Sequence, residues 1–212
     1  MTKRLQIIYN HISSGEVFAD VGCDHGYVAK AVLDSGKFKK VIISDISKPS
    51  LDKAVNLLKP FGDRVISVVS DGFKSYPIVP NEAVIAGMGG EEIVKILSDS
   101  FLVSRLILSP QKNTDKVRRF LVENGYKIIK DFTFYADKKF YDLIVSEKGE
   151  DFYTEDEYVF GRDNLLKKPS DFILKIQKDI NLYQNIVDSE DSSTSTKNAI
   201  KLKISKLKEV IK

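Results

Sequence analysis

The stretch Val17-Phe18-Ala19-Asp20-Val21-Gly22-Cys23-Asp24-His25-Gly26-Tyr27 decides how the rest of the chain is read. It starts as an apolar run, turns at Gly22 and Gly26, and opens a helical pattern at Val28, Ala31 and Val32. That order predicts a buried strand ending in a tight loop that feeds a helix N-terminus. Glycines let backbone approach a ligand closely, and the first amides of a helix have no partner within it. The loop also carries the acids Asp20 and Asp24, and its glycine spacing is Gly-x-x-x-Gly. The dinucleotide fingerprint is Gly-x-Gly-x-x-Gly, so a nicotinamide dehydrogenase is not expected. An acidic loop suits a ligand with a cationic end; the simpler alternative is an ordinary strand-to-helix turn.

Outward from this loop, strand and helix patterns alternate. A short helix is expected over about 2–12, the first strand over about 16–21, and a helix over about 27–34 stopped by Gly36. A second strand over 41–44 ends at Asp45, and Ser47 with Pro49 opens a helix to about residue 58. A third strand, 65–69, ends at Ser70-Asp71-Gly72; a fourth, 82–86, ends at Gly87-Met88-Gly89-Gly90 and precedes a helix carrying Ile93, Ile96 and Leu97. A fifth, 105–108, ends at Ser109-Pro110-Gln111 and leads to a helix over about 114–124. Two last strands, about 127–134 and 140–146, face each other across Ala136-Asp137-Lys138-Lys139. Apolar strands alternating with helices imply an α/β fold: a mostly parallel sheet covered on both faces, with the last pair adding an antiparallel edge. In such sheets ligands lie beyond the carboxyl ends of the strands, where every polar or glycine-rich motif here falls.

After Gly149 the character changes. Residues 150–157 read as an acidic turn, and from Tyr158 onward the pattern is helical. Ile173, Ile176, Ile180, Tyr183 and Val187 recur at helical spacing, as do Ile200, Ile204, Leu207 and Ile211 beyond a polar break at 189–195. Two helices folded into an antiparallel coiled-coil hairpin are expected. The chain thus divides into a sheet domain, 1–150, and a helical hairpin, 156–212. Lys197, Lys201, Lys203, Lys206, Lys208 and Lys212 line the last helix, either as a solvated face or as an arm contacting a nucleic-acid backbone.

The 212 residues are 42% hydrophobic and 30% charged, with a net charge of +3, which permits a polyanionic partner without requiring one. A single cysteine excludes internal disulfides and multi-cysteine zinc sites, and two histidines leave little for metal chemistry, so no metal is expected. No signal peptide or membrane span is visible, which implies a cytoplasmic location and no membrane association. No obligate protein partner is inferred.

Four motifs taken together carry a resemblance. They are Ala19-Asp20-Val21-Gly22-Cys23-Asp24-His25, Ser70-Asp71-Gly72-Phe73, Ile85-Ala86-Gly87-Met88-Gly89-Gly90, and Leu106-Ile107-Leu108-Ser109-Pro110. With them and its helical tail, the chain resembles the bacterial tRNA adenine-22 N1-methyltransferases (TrmK-like) over nearly its whole length. The resemblance implies a Rossmann-like fold, S-adenosyl-L-methionine (SAM) as cofactor, and tRNA as partner. The chain departs from the family pattern at Cys23 (usually Ser), Asp45 (often Glu) and Ser109-Pro110-Gln111 (commonly Gln-Pro-Asn). The last departure lies where the target base would be held.

The resemblance also implies roles. The loop with Gly22, Cys23 and Gly26 wraps the methionine end of SAM, and Asp20 and Asp24 face its ammonium. Asp45, with Ile46, meets the ribose, or else merely caps a helix. Asp71 and Gly72 meet the adenine, or else form a plain turn. Gly87 lies beside the sulfonium. Adenine N1 has its own in-plane lone pair, so attack needs alignment and exclusion of water more than a strong base. Asp24, His25 and Met88 are the catalytic candidates, with His25 alternatively a hydrogen-bonding residue that shapes the loop and Met88 a gap-filling core residue. Tyr27, Pro110, Gln111, Lys112, Asn113, Arg118, Arg119 and Lys201 are candidate tRNA contacts, joined by Lys116, Lys138 and Lys139; Asn113 alternatively caps the next helix. Two competing readings are a SAM enzyme acting on another RNA or a small molecule, and a non-catalytic RNA-binding protein on the same fold.

Overall fold

The computed structural model describes residues 1–99, 103–189 and 193–212. In chain order, α1 (Lys3–Asn10), β1 (Gly15–Val21), α2 (Tyr27–Ser35), β2 (Phe38–Asp45), α3 (Lys48–Leu58) and β3 (Val65–Val69) form the first half of the sheet domain. The second half is β4 (Glu82–Ala86), α4 (Gly90–Ser98), β5 (Arg105–Ser109), α5 (Thr114–Glu123), β6 (Tyr126–Ala136) and β7 (Lys139–Lys148). Four helices follow: α6 (Glu155–Phe160), α7 (Arg162–Lys167), α8 (Ser170–Asp188) and α9 (Thr194–Val210).

The seven strands form one sheet in the order β3-β2-β1-β4-β5-β7-β6. All pairings are parallel except those of β7 with β5 and β6. Both faces are covered. Ile8, Val28, Val32, Leu51 and Leu58 from α1–α3 pack on one side, and Ile93, Ile96, Val117 and Leu121 from α4 and α5 on the other. That double cover is why Ile42, Ile43, Leu106 and Ile107 run as unbroken apolar strands. The chain builds outward from β1 to β3 and then crosses back to β4 on the other side of β1. Connections leave β1 and β4 in opposite directions there, which opens a crevice at their carboxyl ends.

The C-terminal segment corrects one expectation. The acidic stretch after 150 is not all turn: Thr154 and Glu157 form a reciprocal capping box that starts α6 at Glu155. In the α8–α9 pair, Phe172, Ile176, Leu207 and Val210 form a buried cluster with Ile180, Tyr183 and Ile211 packed against it; Val187 and Ile204 are buried too, while Ile173 and Ile200 are half-buried. Part of the polar break between them lies outside the described residues.

The outer strand β6 is not left open. Its Ile128, Asp131, Thr133 and Tyr135 N–H groups donate to side-chain oxygens of Asp151 (2.9 Å), Asp163 (2.9 Å), Asn164 (2.9 Å) and Asp171 (2.8 Å). Those acceptors precede or lie on α6–α8, so the helical segment closes the sheet edge with side chains instead of another strand.

Arg118 is corrected outright. Expected at the RNA-facing surface, it is 1% exposed. Its Nε donates to both Asp131 oxygens (3.0 and 2.9 Å), and Nη1 donates to the carbonyls of Tyr158 and Val159 (3.0 and 3.3 Å). A Cβ on Gly161 would lie 2.9 Å from Arg118 Nη2 and from Asp131 Oδ1, so glycine there is what lets the pair close up. Arg118 ties α5, β6 and the end of α6 together.

Candidate functional site

The crevice between β1 and β4 holds a cleft of about 580 Å³, within the range of small-molecule sites. Of the residues singled out from sequence, Asp20, Gly22, Cys23, Asp24, His25, Tyr27, Asp45, Ile46, Asp71, Gly72, Gly87, Met88 and Gln111 all line it. They come from the ends of several different strands.

The loop after β1 explains how. Gly22, Asp24 and Gly26 all have left-handed backbone, with φ of 69°, 44° and 71°. The Gly22 and Cys23 amides donate to the Ser44 carbonyl (2.8 and 3.0 Å), pinning the loop to the end of β2. A Cβ on Gly26 would lie 2.9 Å from Ala54 Cβ and 3.2 Å from its Cα, so this glycine serves helix packing and lies behind the cleft. A Cβ on Gly22 would lie 2.1 Å from Met88 Cε, so any side chain there would occupy cleft space that Met88 now borders.

Asp20 is buried, and its Oδ2 accepts from the Ala29 amide in the first turn of α2 (3.1 Å). Its other oxygen has no hydrogen-bond partner among the described residues. Burial pushes its carboxyl up to about 7; the Ala29 amide opposes the rise and the Asp45 carboxylate adds to it. Asp45 Oδ1 accepts from the Ser47 amide (2.8 Å) and Oδ2 from the Asp24 amide (3.4 Å), so it holds two loop turns in register. Ser47 is the α3 cap, accepting from the Ser50 amide, which leaves Asp45 at the cleft. Asp71 is within reach of Lys74 (3.0 Å) and Lys95 (3.6 Å), which hold its carboxyl below the usual range. Burial and the flanking Asp20 and Asp45 push the Cys23 thiol up, so it is no nucleophile.

At the mouth, His25 Nδ1 lies 2.7 Å from Asp24 Oδ2, and the imidazole stacks parallel on Tyr27 at 5.6 Å. Other sequence candidates stand apart. Pro110 is buried behind Gln111, and Lys112 and Asn113 flank the rim without lining the cleft. Asn113 takes the N-cap place of α5 with φ 55° but makes no side-chain cap bond. Arg119 pairs with Glu155 and covers the Tyr158 ring, and Lys116 pairs with Glu91 (2.5 Å). Lys138 and Lys139 are exposed at the β6–β7 turn, and Lys201 is exposed on α9.

The cleft also takes in residues the sequence did not mark for the site: Thr2, Arg4 and Leu5 of the N-terminal segment, and Glu92 and Ile96 of α4. No local pattern distinguishes Arg4 from any other charge on an amphipathic helix; only the packing of α1 beside β4 reveals it. Among the described residues, no group of three or more His, Cys, Asp or Glu could hold a metal, and no helix is long and apolar enough to cross a membrane.

Comparison with known proteins matches this geometry. Residues 1–144 fit the family model for a methyltransferase domain. A Mycoplasma genitalium protein named "Putative tRNA methyltransferase" is 34% identical over 155 residues, 70% of each chain. The chain belongs to the TrmK-like tRNA methyltransferase family. The Bacillus subtilis tRNA (adenine(22)-N(1))-methyltransferase is 32% identical over 157 residues, 71% of this chain and 66% of that one. A Streptococcus pneumoniae "putative tRNA (m1A22) methyltransferase", solved with SAM, superposes over 100% of both chains with a TM-score of 0.89 and 25% identity.

The residues present suit the cofactor of such a family. A buried carboxylate with one oxygen unclaimed faces the cleft, and further acids follow along the β1–β3 side. Tyr27 and Val28, whose amides open α2, line the cleft beside them. A zwitterionic amino-acid end fits that pairing.

Proposed function

We propose that this protein transfers the methyl group of SAM to N1 of the adenine at position 22 of tRNA. The observation that carries the reading is the convergence of Asp20, Asp24, Asp45 and Asp71 on one cleft at the sheet's switch point, in a chain of this family. SAM supplies an activated methyl on a sulfonium. Asp20 takes the ammonium with its free oxygen, Asp45 takes the ribose hydroxyls, and Asp71 takes the adenine amino group of the cofactor.

The acceptor half of the cleft is Gly87, Met88 and Gln111. Adenine N1 attacks with its own lone pair, so no proton has to leave first. What the chain supplies is alignment: Gly87, with φ 93°, keeps the wall low, and Met88 packs beside the base. The product ring is cationic. Asp24, held by His25, supports that charge as it develops. Gln111 offers an amide to the base edge. Extruding a stacked target base costs a few kcal/mol; the exposed lysines of α9 and of the β6–β7 turn supply backbone contacts that offset it. With that substrate goes a cytoplasmic location.

Incubating the protein with labelled SAM and unmodified tRNA transcripts tests the reading. Label in 1-methyladenosine from transcripts with adenine at position 22, and none when that base is guanine, is expected. Transfer to no tRNA, or to a different base or atom, refutes it.

A further inference from the structure

The cleft holds a cation to which neither the donor nor the base contacts assign a role. Arg4 Nε and Nη2 are buried, and neither has a hydrogen-bond partner. The side chain forms no ion pair among the described residues; the Arg4 guanidinium lies 4.8 Å from the centre of the Tyr141 ring. Asp137 is nearby but accepts from the Arg4 backbone amide (3.2 Å). Burial lowers the Arg4 pKa, with Tyr141 and Asp137 opposing, yet a guanidinium stays charged. Arg4 is half-buried, and two unpartnered guanidinium nitrogens facing a cleft suit an anion.

Its position indicates which anion. A Cβ on Gly87 would lie 3.5 Å from Arg4 Nη2 and 3.9 Å from Gln111 Nε2. Arg4 therefore stands over the ends of β4 and β5, against β7, on the acceptor side. The acids that suit the donor's ammonium lie on the other side, off β1, β2 and β3, where α2 also opens. Arg4 is the one arginine or lysine lining the cleft among the described residues. The planar fork of arginine matches an oxyanion in two-point contact.

We propose that Arg4 receives a phosphodiester oxygen of the nucleotide carrying the target base, fixing that base against Gly87. The inference rests on the tRNA methyltransferase reading. It makes Arg4 a substrate-positioning residue that distinguishes a polynucleotide from a free nucleoside.

The test uses full-length Arg4→Gln and Arg4→Lys with two binding measurements: calorimetry with SAM and with 5′-methylthioadenosine, which lacks the carboxylate, and anisotropy of an unmodified tRNA transcript with S-adenosylhomocysteine present. For Arg4→Gln, SAM affinity should hold within about twofold while tRNA affinity falls roughly 10- to 100-fold. Its salt slope should shrink by about one phosphate contact. Arg4→Lys should keep the slope but lose several-fold in affinity, because the fork is gone. Weaker SAM binding with unchanged methylthioadenosine binding would assign Arg4 to the donor's carboxylate and overturn the proposal; so would unchanged affinity for both SAM and tRNA. If Arg4→Gln binds no methylthioadenosine, it has lost its fold, and the same comparison on Arg4→Lys decides. Wild-type protein that methylates no tRNA defeats the functional reading; wild type that methylates tRNA while Arg4→Gln binds tRNA equally well defeats only this inference.

Discussion

Replacing Arg118 with methionine separates two roles for one residue. As an RNA contact, Arg118→Met would weaken tRNA binding and leave the fold alone. As the buried staple that ties α5 to β6, the reverse holds. Removing the guanidinium takes away the donors at 3.0 and 2.9 Å to Asp131 and strands the Tyr158 and Val159 carbonyls. Asp131, itself 1% exposed, keeps only the Arg162 amide (3.2 Å) and the Tyr153 hydroxyl (3.1 Å), with no cation. Breaking a buried pair from one side costs about 3–5 kcal/mol. For a chain of this size that is a drop in Tm of roughly 6–20 °C. Urea unfolding followed by circular dichroism measures it. The loss should shrink toward acid pH: burial already holds the Asp131 carboxyl above its usual range with Arg118 opposing the rise, and removing Arg118 raises it further, so protonation relieves the stranded charge. Adding Asp131→Asn should restore part of the stability for the same reason. A loss below about 1 kcal/mol, or a fall in tRNA affinity at unchanged stability, refutes the reasoning.

Two further outcomes are expected. With the Asp20 carboxyl raised to about 7 in the folded protein, its stabilising contribution is full below the unfolded pKa near 3.9 and is lost as pH rises through 7. A cationic ligand favours the ionised form, so SAM binding at pH 7 should release about half a proton, measured by calorimetry in buffers of different ionisation heat. No release, or equal release from Asp20→Asn, would remove Asp20 from the ammonium site. Truncation after residue 150 tests the division into 1–150 and 156–212. It removes Asp151, Asp163, Asn164 and Asp171 from the β6 edge, so size-exclusion chromatography should show self-association. A monodisperse fragment binding SAM at full affinity would mean the edge needs no cover.

The strand-loop-helix rhythm from Val17 to Asn124 was legible because period and punctuation are local properties: apolar runs, glycine stops and caps act over a few residues. The acids at strand ends could likewise be assigned to one ligand by their positions along the chain, since parallel strands bring their carboxyl ends to one edge. The helical tail was legible as hydrophobic spacing: Ile176, Val187, Ile204 and Leu207 of the expected stripes are buried, while Ile173 and Ile200 are half-buried. What neither period nor motif contains is which face of α1 meets β4, or what lies under a charged residue of α5. Arg4 and Arg118 look alike in sequence, each a basic residue on an amphipathic helix. Packing alone made one an unpaired cation in the cleft and the other half of a sealed ion pair, because burial and partnership are set by segments that meet only when the sheet closes.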